Sequence, residues 1–425
     1  MNKIIAFLVI LFTGDALLIG NDRRIGKLYQ QDWESYFALG SNAFPYIPSE
    51  SIPDLSPVGA LLSRSGTVGS GTLIASNVVI TAAHVIRNSY ADNVDPAEWE
   101  FMLGSNENWS KSQRKTQVSS ILLHPGWEAR QNRNNRYGDG DELGVDVALV
   151  YLEESIDGLF PARLPEINDD PLGQRVVLAG YGTLVEGING NRDTSNQRRV
   201  GGENTFDRSV PKVFKEGVSD LHLGGLLAID FDSSSDNHNT LGSGKPILDL
   251  LGSGESEVSP LPLEASTAYG DSGGPAFAYT QEDWHIHGVV SYGTKNSRYG
   301  DVTVFTRLAS HSDWILQNIP DWPSARTIGQ DNWRESRWWG VFLPRENGWN
   351  YHSLTGWNYV PKQPEDSFWA WNSLIGWGWY SSKVYPFFFD LSSDEWYFLS
   401  IEHSKPGSIL RYNYKISDWE FVREN

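Results

Sequence analysis

Gly270-Asp271-Ser272-Gly273-Gly274-Pro275 decides how the rest of the chain is read. A serine set among small residues is poor core material, because glycine weakens helices and strands alike. The same glycines let a backbone turn tightly and aim its N–H groups at a ligand. In such a turn the N–H groups of Gly270 and Ser272 can face an oxygen that gains negative charge, while the Ser272 hydroxyl attacks the adjoining carbon. The plain alternative is a glycine-rich turn without chemistry.

A serine hydroxyl is a weak nucleophile until a positioned base takes its proton and a carboxylate orients that base. Thr81-Ala82-Ala83-His84 follows a predicted strand and so sets an imidazole at a strand end. Of the nine histidines this is the only one in that setting. Asp146 is an acid inside the apolar run Val145-Asp146-Val147-Ala148-Leu149-Val150, where a buried carboxylate requires a dedicated partner. Asp139, Asp141 and Glu142 sit in a glycine-rich turn and read as solvated, and His124-Pro125 reads as a structural turn. His285 and His287 share one face of a predicted strand, but no third ligand is evident, so neither a metal site nor a cofactor is expected.

The motifs TAAH, DVAL and GDSGGP, in the order His84, Asp146, Ser272, resemble those of the trypsin/chymotrypsin-like serine peptidases and not the order of α/β-hydrolases or subtilisins. The resemblance spans roughly residues 55–318 and is poorest over 184–262. It implies an all-β fold: a trypsin-like double β-barrel ending on a C-terminal helix. It also implies a serine endopeptidase in which Ser272 is the nucleophile, His84 the base, Asp146 the orienting acid, and Gly270 and Ser272 the oxyanion donors. By the same resemblance Ser266 lies at the base of the primary pocket, Ser291, Tyr292 and Gly293 pair with substrate backbone and form one wall, and Thr303 takes another wall position. Trypsin-type enzymes carry an Asp where this chain has Ser266. That difference, with Gly293 leaving one side open, implies an uncharged residue before the scissile bond. Asp301 is a nearby source of charge.

Activation in this family cuts after a basic residue, and the freed ammonium pairs with the Asp that precedes the nucleophile, here Asp271. Arg23-Arg24-Ile25-Gly26 offers such a site, but Ile25 lies 59 positions ahead of His84, a longer lead than usual. A surface di-basic pair is the preferred reading. The family often has a cysteine after its catalytic His. Here the position is Val85 and the chain has no cysteine, as in a bacterial branch, which also excludes thiol catalysis.

A chain of 425 residues holds a large core and a further module. Its 34 basic against 53 acidic residues give a net charge of −19, which repels phosphate backbones, so no nucleic-acid partner is expected. Lys3, the apolar run 4–12 and small residues at Gly14, Ala16 and Gly20 read as a signal peptide over 1–20. That run is too short to span a bilayer comfortably. The mature protein is therefore expected to be exported, either secreted or at the cell surface or periplasm. Residues 21–50 read as an N-terminal segment or propeptide with a short helix at 32–39.

From residue 58 the pattern turns to short β-branched runs at 58–62, 71–75, 78–81, 119–123, 146–152, 175–179, 286–291 and 302–306. These belong to a peptidase domain over 51–319. One late helix is expected, capped by Ser310 with Trp314, Ile315 and Ile319 facing inward, and ended by Pro320. Residues 184–262 read as loops around the cleft. Asp230, Asp232 and Asp236 there read as solvated carboxylates in preference to calcium ligands.

After Pro320 the composition changes, and residues 320–425 hold twelve of the eighteen tryptophans. A linker over 320–345 is expected, followed by a Trp/Tyr-rich β repeat module over 346–425. The module repeats WNYHSLTGWNY (349–359) as WAWNSLIGWGW (369–379), with same-face aromatics at i and i+2 as in strands. It loosely resembles C-terminal aromatic repeats of secreted bacterial proteins. Such aromatics form either a core or a surface for a glycan or cell-envelope ligand. The second case carries the alternative reading, a binding protein that uses the peptidase fold as a scaffold.

Overall fold

The computed structural model describes residues 25–27, 31–41, 52–87, 94–104, 114–131, 142–190, 192–193, 198–242, 251–252, 254–267, 269–294, 297–329, 331–361 and 366–423. The proposed signal peptide, Arg23 and Arg24 lie outside the described residues.

Short β-branched strands separated by turns close on themselves in the first half. Val58–Ser63, Val68–Ala75, Val78–Thr81, Ala148–Leu152, Arg114–Leu123 and Trp99–Leu103 form, in that order, a closed antiparallel barrel. Both faces of its strands are covered: Val58, Ala60, Leu73, Val79, Ile80, Phe101, Leu149 and Val150 are fully buried. A second, seven-stranded antiparallel sheet stands where a second barrel is expected. Its order is Val200–Thr205, Arg175–Gly180, Pro275–Thr280, Asp283–Gly293, Val302–Arg307, Gly225–Asp230, Arg208–Val210. No hydrogen-bonded seam closes it among the described residues. A small sheet beside it sandwiches Ile25–Lys27 between Leu184–Glu186 and Ala265–Thr267, with Gly26 opposite Ser266.

Two expectations are corrected here. The stretch 184–262 is not a set of cleft loops, because it supplies the strands Leu184–Glu186, Arg192–Asp193, Val200–Thr205, Arg208–Val210 and Gly225–Asp230. Gly201 and Gly202 mask the pattern: a Cβ on Gly201 would lie 2.8 Å from Leu39 and one on Gly202 2.3 Å from Ala265. Close packing, not turn formation, calls for glycine at both. Asp230 and Asp232 are not solvated either. Asp230 is fully buried and accepts the Leu241 N–H (2.7 Å) and the Ser256 hydroxyl (2.8 Å).

The early helix is Trp33–Gly40, and Asp32 caps it by accepting the Ser35 N–H. The late helix is Ser312–Gln317, after a 3₁₀ turn at Leu308–His311. Ser310 does not cap it; its hydroxyl donates instead to the Pro211 carbonyl (2.8 Å).

Residues 326–423 form an eleven-stranded antiparallel meander in strict sequence order. Its first three strands, Arg326–Ile328, Trp333–Ser336 and Gly340–Pro344, lie in the segment expected to be a linker. The register sets Phe342, Asn358, Phe368, Asn372, Tyr380, Phe388, Tyr397 and Ile409 on one buried face. Tyr351, Trp357, Trp371, Trp377, Phe389, Trp396, Phe398 and Trp419 take the other, more open face. Five hairpins share one turn chemistry. Ser336, His352, Asn372, Asp390 and Asn413 each accept a backbone N–H two residues on. Four residues after each stands a left-handed residue: Gly340, Gly356, Gly376, Asp394 and Ser417.

The meander rests on the segment between the two sheets of the first 319 residues. Gly158 donates to Thr327 (3.1 Å), Phe160 lies between the guanidinium groups of Arg326 and Arg337, and Arg163 bridges Asp283 and Asp366. Among the described residues no helix is long and apolar enough to cross a membrane.

His124 and His311 pair between the first and second sheets. The Gly126 N–H donates to His124 Nδ1 (3.1 Å), so His124 Nε2–H donates to His311 Nδ1 (3.2 Å), and His311 Nε2–H donates to the Gly144 carbonyl (2.7 Å). Every nitrogen is satisfied only while both rings are neutral. Burial lowers His124 to about 2 and His311 to about 4, from an ordinary 6.5. Their folded values lie below the unfolded one, so the stability they contribute is present above pH 6.5 and is lost as pH falls toward 4. His311→Asn should therefore flatten the loss of stability between pH 6.5 and 4 in urea titrations. An unchanged slope would contradict the neutral pair.

Candidate active site

Ala82, at the end of strand Val78–Thr81, turns the chain into the short helix Ala83–Ile86, which places His84 at the mouth of the first barrel. Asp146 stands just before strand Ala148–Leu152 and has no exposed surface. The Gly270–Pro275 turn leads into strand Pro275–Thr280 of the second sheet. These three distant segments meet. His84 Nδ1 lies 2.7 Å from Asp146 Oδ2, the His84 N–H donates to Asp146 Oδ1 (2.9 Å), and His84 Nε2 lies 2.8 Å from Ser272 Oγ. With Nδ1–H donating to the carboxylate, Nε2 is free to accept from the serine hydroxyl.

Burial alone would push the Asp146 carboxyl up. The facing His84, the His84 hydrogen bonds and the Ser291 hydroxyl outweigh it and hold the group below the ordinary carboxylate range. Ser291 is the residue whose side chain the motif reading missed. The resemblance implies a role for its backbone, and its hydroxyl donates to Asp146 Oδ2 (2.6 Å). Thr306 adds a bond to the Asp146 carbonyl (2.9 Å). Nothing in one sequence marks Ser291 for this, since its contact is made across the interface of the two sheets.

The Gly270–Pro275 turn is clamped through Ser70. Its N–H donates to the Ser272 carbonyl (2.8 Å), its hydroxyl donates to the Gly270 carbonyl (3.1 Å), and the same oxygen accepts the Tyr181 N–H (3.2 Å). Asp271 accepts the Gly182 N–H (2.9 Å). Gly270 and Gly273 both have left-handed φ angles, 96° and 79°. Fixing the Gly270 carbonyl orients the peptides on either side of it, and Ser272 itself is half-buried.

Ser266 and Thr303 are buried and adjacent, their hydroxyls 3.4 Å apart, and Thr267 Oγ1 lies 2.9 Å from Thr303 Oγ1. Three hydroxyls thus cluster where the resemblance sets the base of a primary pocket. The Asp301 carboxylate accepts the Arg298 N–H (3.0 Å). A Cβ on Gly293 would lie 2.4 Å from the Val302 carbonyl, so the neighbouring strand requires the glycine.

A family profile described as Trypsin matches residues 49–209 and 258–315, together more than half of the chain. Phenoloxidase-activating factor 3 of Holotrichia diomphalia is 27% identical over 287 residues, covering 62% of this chain and 69% of that protein. Spermosin of Halocynthia roretzi is 25% identical over 294 residues, covering 68% and 63%. Mannan-binding lectin serine protease 1 of Rattus norvegicus is 26% identical over 268 residues, covering 58% and 30%. The chain therefore spans less than two thirds of the last two. The unmatched gap, 210–257, falls inside the stretch whose pattern was poorest.

A Cβ on Gly273 would lie 2.0 Å from Thr81 Oγ1 and 2.3 Å from the Ser70 carbonyl, at a φ unfavourable to any side chain. Gly273→Ala should destabilise the fold by about 2–3 kcal/mol, as overpacking with backbone strain does. Urea unfolding at wild-type stability would show that the turn is not held against Ser70.

Proposed function

The chain belongs to the trypsin family of serine endopeptidases, and from that premise we propose an exported enzyme that works through Ser272, His84 and Asp146 and an acyl-enzyme. The observation that carries the reading is the unbroken chain of contacts from Ser272 Oγ through His84 to Asp146. Ser272 Oγ attacks the scissile carbonyl while His84 Nε2 takes its proton. The tetrahedral oxyanion is received by the N–H groups of Gly270 and Ser272. His84 then returns the proton to the leaving amine, and water repeats the sequence to release the acid. Asp146 keeps the Nδ1 proton in place and stabilises the imidazolium at each stage.

The uncharged base at Ser266, closed by Thr303, favours an uncharged residue before the scissile bond. The segment Ser291–Gly293 supplies backbone to the substrate. Residues 1–20 direct export, and cleavage after Arg24 is the activation route to test. Ser272→Ala should lower kcat by about 10⁶, and Asp146→Asn by about 10⁴ through the wrong imidazole tautomer. Peptide-library hydrolysis by the mature protein measures both. Near-normal turnover in Ser272→Ala would overturn the assignment.

A second reading concerns the C-terminal meander, whose outward face favours a neutral glycan. On that face the charged strand residues are Arg326 and Glu335 in the first two strands and Arg423 in the last. Between them Trp357 and Trp396 are 50% and 42% exposed. Large exposed apolar patches mark interaction surfaces, and aromatic faces suit the C–H face of a sugar ring. The full-length Ser272→Ala protein should be retained on insoluble polysaccharide or isolated cell envelopes, and lose that retention with Trp357→Ala and Trp396→Ala together. Passage through all of them unretained would remove this reading.

A further inference from the structure

His285 and His287 lie on one face of strand Asp283–Gly293, and the sequence offers them no obvious third ligand. The fold supplies one. Asp169 enters from a turn in the connection between the two sheets, where its N–H donates to Glu166 and its carbonyl accepts from Arg307 (2.5 Å). Asp169, His285 and His287 are 5%, 3% and 1% exposed. One carboxylate oxygen and one nitrogen of each ring lie within 4.8 Å of one another. They converge on the Thr280 hydroxyl, which is 3.3 Å from Asp169 Oδ2, 3.2 Å from His285 Nδ1 and 2.9 Å from His287 Nε2.

We propose that Asp169, His285 and His287 form a binding site for one zinc-class divalent ion, with the Thr280 hydroxyl or a water as the fourth donor. Two imidazoles and a carboxylate are a common tetrahedral zinc set, with metal–ligand distances of about 2.0–2.2 Å. Calcium is a poor fit, since it requires six to eight oxygens. The ligands of a tetrahedral ion stand about 3.4 Å apart at those bond lengths, so the cluster closes by roughly 1 Å on loading. Burial lowers both histidines, His287 to about 3, and the neutral ring is the coordinating form.

The charges acting on the two rings are the carboxylates of Asp169, Asp170 and Asp283 against the guanidinium groups of Arg163 and Arg307. A purely hydrogen-bonded hub is the competing account: Thr280 accepts from both rings and donates to Asp169. In either account His287 Nδ1 is buried with no hydrogen-bond partner among the described residues. Entry is short. Gln281 at the exposed hairpin tip covers the carboxylate, its amide donating to Asp169 Oδ1 (3.1 Å). A bound ion would clamp the inter-sheet connection to the hairpin formed by Pro275–Thr280 and Asp283–Gly293. That hairpin's second strand also carries Ser291, the donor to Asp146.

The test is calorimetric titration of chelator-stripped, full-length Ser272→Ala protein with Zn²⁺, using that variant to prevent self-cleavage. One site per chain is expected, with a raised unfolding midpoint in excess zinc. Affinity should fall by about 100-fold or more in His287→Gln and Asp169→Asn and stay unchanged in the exposed His403→Gln. His287→Gln keeps an amide able to donate to Thr280, so its metal-free unfolding should remain close to the parent's. Should either variant fail to fold, the Co²⁺-loaded parent decides, because tetrahedral nitrogen and oxygen ligation gives intense visible bands. Absence of stoichiometric binding, equal binding in both ligand variants, or octahedral-type weak bands would overturn the site.

Discussion

A carboxylate with no exposed surface governs this architecture. Removing an ion from water costs several kcal/mol unless its partners replace the lost hydration. Asp146 finds two of its donors on His84 and a third on Ser291. The first two belong to the same barrel as Asp146, while the third belongs to the seven-stranded sheet. Thr306, also on that sheet, holds the Asp146 backbone. The charge is therefore fully satisfied only when the two halves have docked. Docking is also what brings Ser272 within 2.8 Å of the imidazole.

The meander after residue 325 obeys a different rule. Its inner face buries Phe342, Phe368 and Phe388, together with Trp339 from a connecting turn. Its outer face is stabilised by its own rings. Tyr351 and Trp357 meet at 75°, Trp379 and Trp396 at 88°, and Phe398 and Trp419 at 80°. Edge-to-face pairs of this kind add about 0.5–1.5 kcal/mol each beyond area burial. A sheet with one open face thus gains cohesion from neighbouring strands without a second layer, and its aromatics remain accessible.

The three segments that meet at His84 were legible because each departs from its background: a serine among glycines, a histidine at a strand end, an acid inside an apolar strand. Most strands of the first barrel were legible from β-branched runs for the same reason. Val200–Thr205 was not, because Gly201 and Gly202 answer to the helix and strand pressed against them. Asp230 looked solvated because its partners, Leu241 and Ser256, are distant in sequence. The repeat was visible in two copies through Ser-Leu-x-Gly. Three further hairpins keep only the function of the pattern, an accepting side chain and a left-handed residue four positions on, while Asp394 and Ser417 replace the glycine. Asp169 could not be joined to His285 and His287 by spacing at all, since only the fold brings that turn against the strand.

Reactivity of Ser272 that depends on Asp146 is the point on which this account rests. Intact-mass kinetics of covalent labelling by a fluorophosphonate measures it in the mature protein and in Asp146→Asn. The account predicts a single adduct, located on Ser272, forming far more slowly in the variant. An adduct elsewhere, or equal rates in the two proteins, would contradict it.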